Sequence, residues 1–237
     1  MIYFTADLHL GHSNIIQHCN RPFSSVAQMD KTIIDNWNNR VNNDDDVYVL
    51  GDVAYRSGTD VGSMLKRLKG HKHLILGNHD RTWIRYCDPL QYFETVDKLG
   101  WVTVDGCRLF LCHYPMMSWD GAYHGSYLVH GHIHNNTGQS FWPLIAASDH
   151  MLNAGVDINY FHPVSFAELI RNNEEFKKRS RPDPRALIKQ AAHEIQEFGG
   201  TSVVCPQCGK KPVYDLQGDS RLILACRCHY LFDCEIW

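Results

Sequence analysis

Five short polar clusters carry the residue types that bind metal ions: Asp7-Leu8-His9, Gly51-Asp52, Gly77-Asn78-His79-Asp80, His113 and Gly131-His132-Ile133-His134. Each follows an apolar run of strand length, so each is expected to project from a strand end toward one region. Asp7 and His9 stand two apart, a spacing that puts both side chains on one face of an extended segment, where they can share an ion. His132 and His134 repeat that spacing, which predicts a paired arrangement around two ions. Carboxylate, imidazole and amide oxygen together suit Mn, Fe, Co, Ni or Zn, and the absence of cysteine from these clusters disfavours a thiolate site. A carboxylate can bridge two cations, and Asp52 is the candidate bridge. Two ions about 3.5–4 Å apart clamp a phosphoryl group and generate hydroxide at neutral pH, so the expected chemistry is hydrolysis of a phosphate ester. Taken singly, an Asp or His at a strand end is an ordinary cap or surface residue. The ordered set is what carries the chemistry.

A second constellation closes the chain. Cys205-Pro206-Gln207-Cys208-Gly209 has the spacing with which two thiolates on a tight turn bind one tetrahedral ion. Cys226-Arg227-Cys228 follows, one residue closer than the usual Cys-x-x-Cys, which leaves Cys234 or His229 as alternatives to Cys228 for the fourth ligand. The tail resembles a zinc ribbon with one structural Zn. The plain alternative is a small β-hairpin with buried free cysteines, against which stands the difficulty of building a stable core from so few residues. Such a module grips nucleic acid, docks a protein or forms a dimer contact. Lys210, Lys211, Arg221 and Arg227 suit phosphate contacts but are too few to establish nucleic-acid binding, and the oligomeric state is not legible.

Together the five ordered motifs resemble those of the calcineurin-like metallophosphoesterase family, over residues 1–165, and within it the small prokaryotic and phage-type enzymes. The resemblance implies a four-layer α/β/β/α fold with a dinuclear site between two sheets. By motif, Asp7, His9, Asp52 and His134 hold one ion, and Asp52, Asn78, His113 and His132 hold the other. His79 then protonates the leaving oxygen, with Asp80, where many relatives carry Glu, accepting its other N–H and fixing the tautomer. The implied nucleophile is a hydroxide bridging the ions, without a covalent phosphoenzyme. His12 and Arg81 are candidates to face a phosphate oxygen. Arg21, Tyr114, Trp119, Tyr123 and His124 are candidate groove residues, with an aromatic ring to stack on a base; ordinary loop packing is the alternative for each. His130 is expected to be a packing residue. The substrate is read as a phosphodiester or phosphomonoester, most plausibly in a nucleotide or a nucleic-acid end. The rival reading is a non-catalytic, metal-stabilised scaffold that docks nucleic acid or protein through the tail, and the complete ligand set with His79 counts against it.

The elements that must position these residues are an alternation of strands and helices. Ile2–Ala6, Val47–Leu50 and His73–Leu76 read as strands, with helices from Ser25, where Ser25 and Gln28 form a capping pair, and over Val61–Lys69 before Gly70. Asp105-Gly106 between two apolar runs predicts a hairpin, and Tyr127–Val129 and Leu152–Val156 two further strands. Ser165 and Glu168 fit a second capping box on a helix to Asn172, beyond which a charged, Pro-containing stretch leads to a helix over Arg185–Phe198. The expected organisation is a metallophosphoesterase domain over 1–173, a charged linker and helix over 174–200 and the ribbon-like module over 201–237.

Composition agrees with a folded α/β chain. Of 237 residues, 44% are hydrophobic and 21% charged, ordinary for a globular protein. The net charge of −3 gives no global basic field for nucleic acid, and the 12 Lys/Arg against 16 Asp/Glu of residues 1–165 suit a carboxylate site for cations. No apolar stretch is long enough to cross a bilayer and no leader is legible, so no membrane partner is expected. The odd total of nine cysteines, crowded toward the end, points to bound metal in a reduced, cytoplasmic compartment rather than to disulfides.

Overall fold

The computed structural model describes residues 1–55, 61–180, 184–205, 210–217, 221–226 and 231–235. Two compact units divide the chain, one of residues 1–136 and 150–175, the other of 137–149 and 176–237.

In the first unit, β1 (Ile2–Thr5), β2 (Asp46–Val49), β3 (His71–Ile75) and β4 (Thr95–Asp97) form a wholly parallel sheet in that order. Period-2 alternation sends successive side chains of the inner strands to opposite sides of the sheet, where each side meets a core. Val47, Val49 and Leu74 pack with Met29, Ile33 and Trp37 of α2 (Val26–Arg40), a core that α3 (Val61–Lys66) joins through Val61 and Leu65. Phe4, Leu50 and Ile75 face the other way, onto Leu109, Val129 and Leu152 of a second sheet. That sheet runs β5 (Leu99–Val104), β6 (Cys107–Cys112), β7 (Tyr127–His130), β8 (Met151–Asn153), antiparallel in its first pair and parallel thereafter. Asp105 and Gly106 both adopt left-handed φ, +51° and +77°, which gives the two-residue turn the twist of its strands. Between β4 and β5 stands only Lys98, so the chain passes from the edge of one sheet to the edge of the other across a single residue. The result is a mixed α/β architecture, one sheet wholly parallel and the other mixed, consistent with the metallophosphoesterase fold that the resemblance implies.

Helix boundaries follow local chemistry. Ser25 accepts from Gln28 N at 3.2 Å, while the Gln28 side chain reaches past it to Ser24 N and Oγ, both at 2.8 Å. α5 (Phe166–Ser180) begins at a capping box in which Glu168 Oε2 accepts from Ser165 N and Oγ, both at 2.9 Å. It continues through Glu174 and Glu175 to Ser180, past Asn172 where the sequence predicts its end, because Glu174 and Glu175 stand four residues before Lys178 and Arg179, a spacing that suits a helix. Two short helices went unread: α1 (Ser13–His18) and α4 (Trp142–Ala147), each too brief to show a period.

The second unit holds α4, the end of α5, α6 (Pro184–Phe198) and an antiparallel sheet of β9 (Val213–Gln217), β10 (Arg221–Ala225) and β11 (Leu231–Glu235) with β10 central. Ile188, Ala191, Leu222, Leu224, Cys205 and Cys226 share its small core. Among the described residues no helix is long and apolar enough to cross a membrane.

Glu168 also pairs with Arg40 at 2.6 Å, and although burial pushes its carboxyl up, the Ser165 and Arg40 hydrogen bonds hold it below the usual range. Its stabilising effect is therefore present above the unfolded carboxyl range and lost as pH falls through the lowered folded value. Glu168→Gln is expected to cost about 1 kcal/mol at neutral pH, as for a half-exposed pair with a cap, and the difference should vanish in acid. Urea unfolding at a series of pH values checks this; a pH-independent difference would refute the charge assignment.

Candidate metal centre

The strand-end clusters meet, though not for the reason that extended geometry suggests. Asp7, His9, Asp52, His132 and His134 all have left-handed backbones, with φ of +58°, +52°, +54°, +72° and +51°. None of the pairs sits on one face of a strand; each ligand lies on a turn past its strand end, held by bonds such as Asp7 N to Gly51 O and His9 N to Asp52 O, both 3.0 Å. Each such conformation costs about 1–2 kcal/mol for a residue with a Cβ and persists only where its surroundings enforce it. Gly51 makes the close approach of the strand ends feasible: its φ is +82°, and a Cβ there would lie 2.5 Å from His113 Nδ1. At Gly131 a Cβ would lie 2.6 Å from Asp7 Oδ2.

Two ligand groups result. The ligand atoms of Asp7, His9 and His134 lie within 4.8 Å of one another, as do those of Asp52, His113 and His132. Asp52 faces both: its Oδ2 is 3.4 Å from His113 Nε2 and 3.7 Å from His9 Nε2. Asn78 joins the second group, with Oδ1 3.1 Å from His113 Nε2. The imidazoles are aimed by their other nitrogens: His113 Nδ1 bonds Leu50 O at 2.7 Å and His134 Nδ1 bonds Asp157 Oδ2 at 2.8 Å. His9 Nε2 is buried with no hydrogen-bond partner, an arrangement that costs free energy unless something else binds there. The donor set, its convergence and this orphaned nitrogen fit divalent cations.

Charge is concentrated here. Burial pushes Asp7 up to about 6, against the pull of His134 and His113. Burial also opposes ionisation of Asp52, but the His113 hydrogen bond and the charges of His113 and His9 outweigh it and bring it to about 2. His113 rises to about 9 and His134 to about 11, burial being overcome by Asp52 and Asp7 for the first and by Asp7 and Asp157 for the second. His9 falls, chiefly through burial. Imidazolium charge thus balances carboxylate charge, a role that a bound divalent cation would take over with the imidazoles deprotonated.

Around these groups, His79 stands half-exposed with Nε2 3.9 Å from Asp52 Oδ2 and its ring edge-on to Tyr55 at 4.9 Å. His12 lies against Tyr55 at 4.3 Å with Nδ1 3.2 Å from His9 Nδ1, and burial and the His79 charge lower it to about 4. Arg81 is exposed, close enough for its charge to act on Tyr114. Tyr114 is exposed, with its ring 4.7 Å from that of His132 and 4.9 Å from that of His113. Trp119 Nε1 is tied to Ser126 Oγ at 3.0 Å, while Tyr123 and His124 are exposed. His130 is buried, with Nδ1 2.9 Å from Gly131 O.

Two further expectations are corrected. Asp80 does not bond the His79 ring. It is buried, and its oxygens accept from Asp52 N at 2.9 Å, Val53 N at 2.9 Å, Gly77 N at 2.8 Å and Trp83 Nε1 at 2.7 Å, which consumes its acceptor directions. Arg21 does not line a groove; it is buried on Asp157 and on backbone carbonyls. Asp157 itself was missed, being a lone carboxylate outside any motif. In the tail, Cys205 and Cys226 are buried in the small core, and Cys208 and Cys228 lie outside the described residues.

Residues 1–183 match the calcineurin-like phosphoesterase family. An uncharacterized protein of Methanocaldococcus jannaschii is 33% identical over 178 residues, covering 74% of this chain and 93% of that one. The gene 66 protein of Mycobacterium phage D29 is 30% identical over 160 residues, 56% of this chain and 78% of its own. A solved structure of a protein of unknown function from Aquifex aeolicus superposes with a TM-score of 0.55 at 24% identity, over 72% of this chain and 98% of the other.

Asp80→Asn places an amide donor against peptide N–H groups that need an acceptor. It is expected to lower the stability of the metal-free chain by about 1–3 kcal/mol. Chemical unfolding measures this. A residue that only oriented His79 would reduce turnover and leave the unfolding midpoint in place.

Proposed function

Because the chain belongs to the calcineurin-like phosphoesterase family, we propose that it hydrolyses phosphodiester or phosphomonoester bonds at a two-ion centre. The observation that carries this is Asp52, whose carboxylate faces the imidazoles of both ligand groups at 3.4 and 3.7 Å. Asp7, His9, Asp52 and His134 would hold one divalent ion, and Asp52, Asn78, His113 and His132 the other. Such ions supply Lewis acidity, neutralising phosphoryl oxygens and bringing the pKa of water toward neutrality.

The chain's own residues do the rest. Asp52 Oδ1 accepts from His79 N at 2.8 Å, which places the His79 backbone against the centre and its ring at the rim. From there His79 donates a proton to the departing oxygen, the task of a general acid with one face to solvent. His12, wedged between Tyr55 and His9, and Arg81, exposed at the rim, bind phosphoryl oxygens. Tyr114 offers a ring for stacking, which favours a nucleotide or nucleic-acid end as substrate. The net charge of −3 argues against an extended polyanion held by charge alone. In the tail, Cys205 and Cys226, buried in a core of few residues, support one structural zinc completed by Cys208 and Cys228.

Metal-free protein reconstituted with Mn²⁺ should turn over bis-p-nitrophenyl phosphate or p-nitrophenyl phosphate, the preferred one separating diesterase from monoesterase. Asp52→Asn should abolish turnover, and His79→Ala should reduce it about 10²- to 10⁴-fold. Full turnover in His79→Ala would remove the proton-donor assignment, and silence on both substrates with two ions bound would favour a scaffold. Metal analysis should find one further zinc per chain that Cys205→Ser loses and Asp52→Asn keeps; a zinc-free chain with an intact tail would refute the ribbon.

A further inference from the structure

The Arg21 guanidinium lies buried behind the first ligand group and donates in several directions. Nε reaches Asp157 Oδ1 at 2.8 Å and Nη2 reaches Asp157 Oδ2 at 3.0 Å. Nη2 also donates to the carbonyl of Asp7 at 2.7 Å, and Nη1 to that of Leu8 at 3.0 Å. Asp157 in turn accepts from His134 Nδ1 at 2.8 Å. Neither side chain has appreciable solvent exposure. One planar cation is therefore bonded to the turn that follows β1 and, through one carboxylate, to the turn that follows β7 in the other sheet.

We propose that Arg21 and Asp157 are positioning residues for one half of the metal centre, assembling Asp7, His9 and His134 without governing Asp52, Asn78, His113 and His132. This rests on the reading of the centre as one that takes two divalent ions. A carboxylate on Nδ1 fixes the tautomer, turns the Nε2 lone pair toward the ion and raises its basicity. The guanidinium keeps that buried carboxylate ionised, and its fork meets four acceptors at once, which an ammonium cannot do. The second group is anchored elsewhere, by Leu50 O on His113 and by Asp80 behind Asp52. Cys19, His134 and Asp157 also have ligand atoms within 4.8 Å of one another. With both Asp157 oxygens taken by Arg21 and His134, that trio is support for the first group rather than a third site.

The test loads the full metal-free chain with Mn²⁺ and compares it with Asp157→Asn and Arg21→Lys. Wild type should take two ions per chain and give the electron paramagnetic resonance spectrum of a coupled pair. Each variant should bind one of the ions about 10- to 100-fold more weakly, so that at limiting Mn²⁺ it gives the spectrum of an isolated ion, with the affinity for the other ion unchanged. Two ions at wild-type affinity in both variants, or a parallel loss of both ions, would overturn the proposal. Failure of the wild type to take two ions would instead overturn the reading beneath it, whatever the variants do. If the variants do not fold, the zinc-loaded wild type decides: the His134 proton on Nδ1 in nitrogen-resolved spectra supports the proposal, and on Nε2 refutes it.

Discussion

Three peptide N–H groups and one indole converge on the buried carboxylate of Asp80, from the turns that follow two neighbouring strands. Asp52 and Val53 come after β2 and Gly77 after β3, so a single anion closes the gap between them. An ionised carboxylate out of water costs several kcal/mol unless donors surround it, and backbone N–H groups at a turn are equally costly when left unpaired. Each solves the other's problem. With its backbone held in this way, Asp52 keeps the left-handed conformation that directs its side chain toward imidazoles from both sheets. The turn carrying Asp7 leans on the same construction through its bond to Gly51 O.

The centre is thus divided between the sheets. Asp7, His9, Asp52 and Asn78 follow strands of the first, and His113, His132 and His134 follow strands of the second. Packing of Phe4, Leu50 and Ile75 on Leu109, Val129 and Leu152 sets the separation of the two sets, and the backbone pairing of His132 N with the Asp7 carboxylate, at 2.9 Å, adjusts it at the site. Hydrophobic packing brings the halves together to within a few ångströms; directed hydrogen bonds do the final placement.

Much of this was legible from residue order. The Asp105-Gly106 turn, the Ser25 and Ser165 caps and the five polar clusters after apolar runs are local signals, each complete within a few residues. What escaped depends on contacts between distant residues. Nothing near Asp157 marks it as the partner of residues 23 and 136 positions away. Asp80 sits beside His79 in the sequence, yet its side chain points to the strand turns behind, a direction that spacing cannot convey. The two-residue spacing of Asp7 and His9 suggested a strand face, and the left-handed turns that replace it exist only because the neighbouring strand ends hold them.

The position of Asp157 also bears on how the protein is made. Asp7 and Asp52 leave the ribosome early, His134 much later, and Asp157 later still. Synthesis at about 5–20 residues per second separates Asp7 from Asp157 by about 8–30 seconds, during which the turn carrying Asp7 and His9 has neither the His134 imidazole nor the carboxylate that joins it to Arg21. A chain interrupted just before residue 157 therefore carries all seven candidate ligands but lacks the carboxylate on which His134 Nδ1 and the Arg21 guanidinium meet.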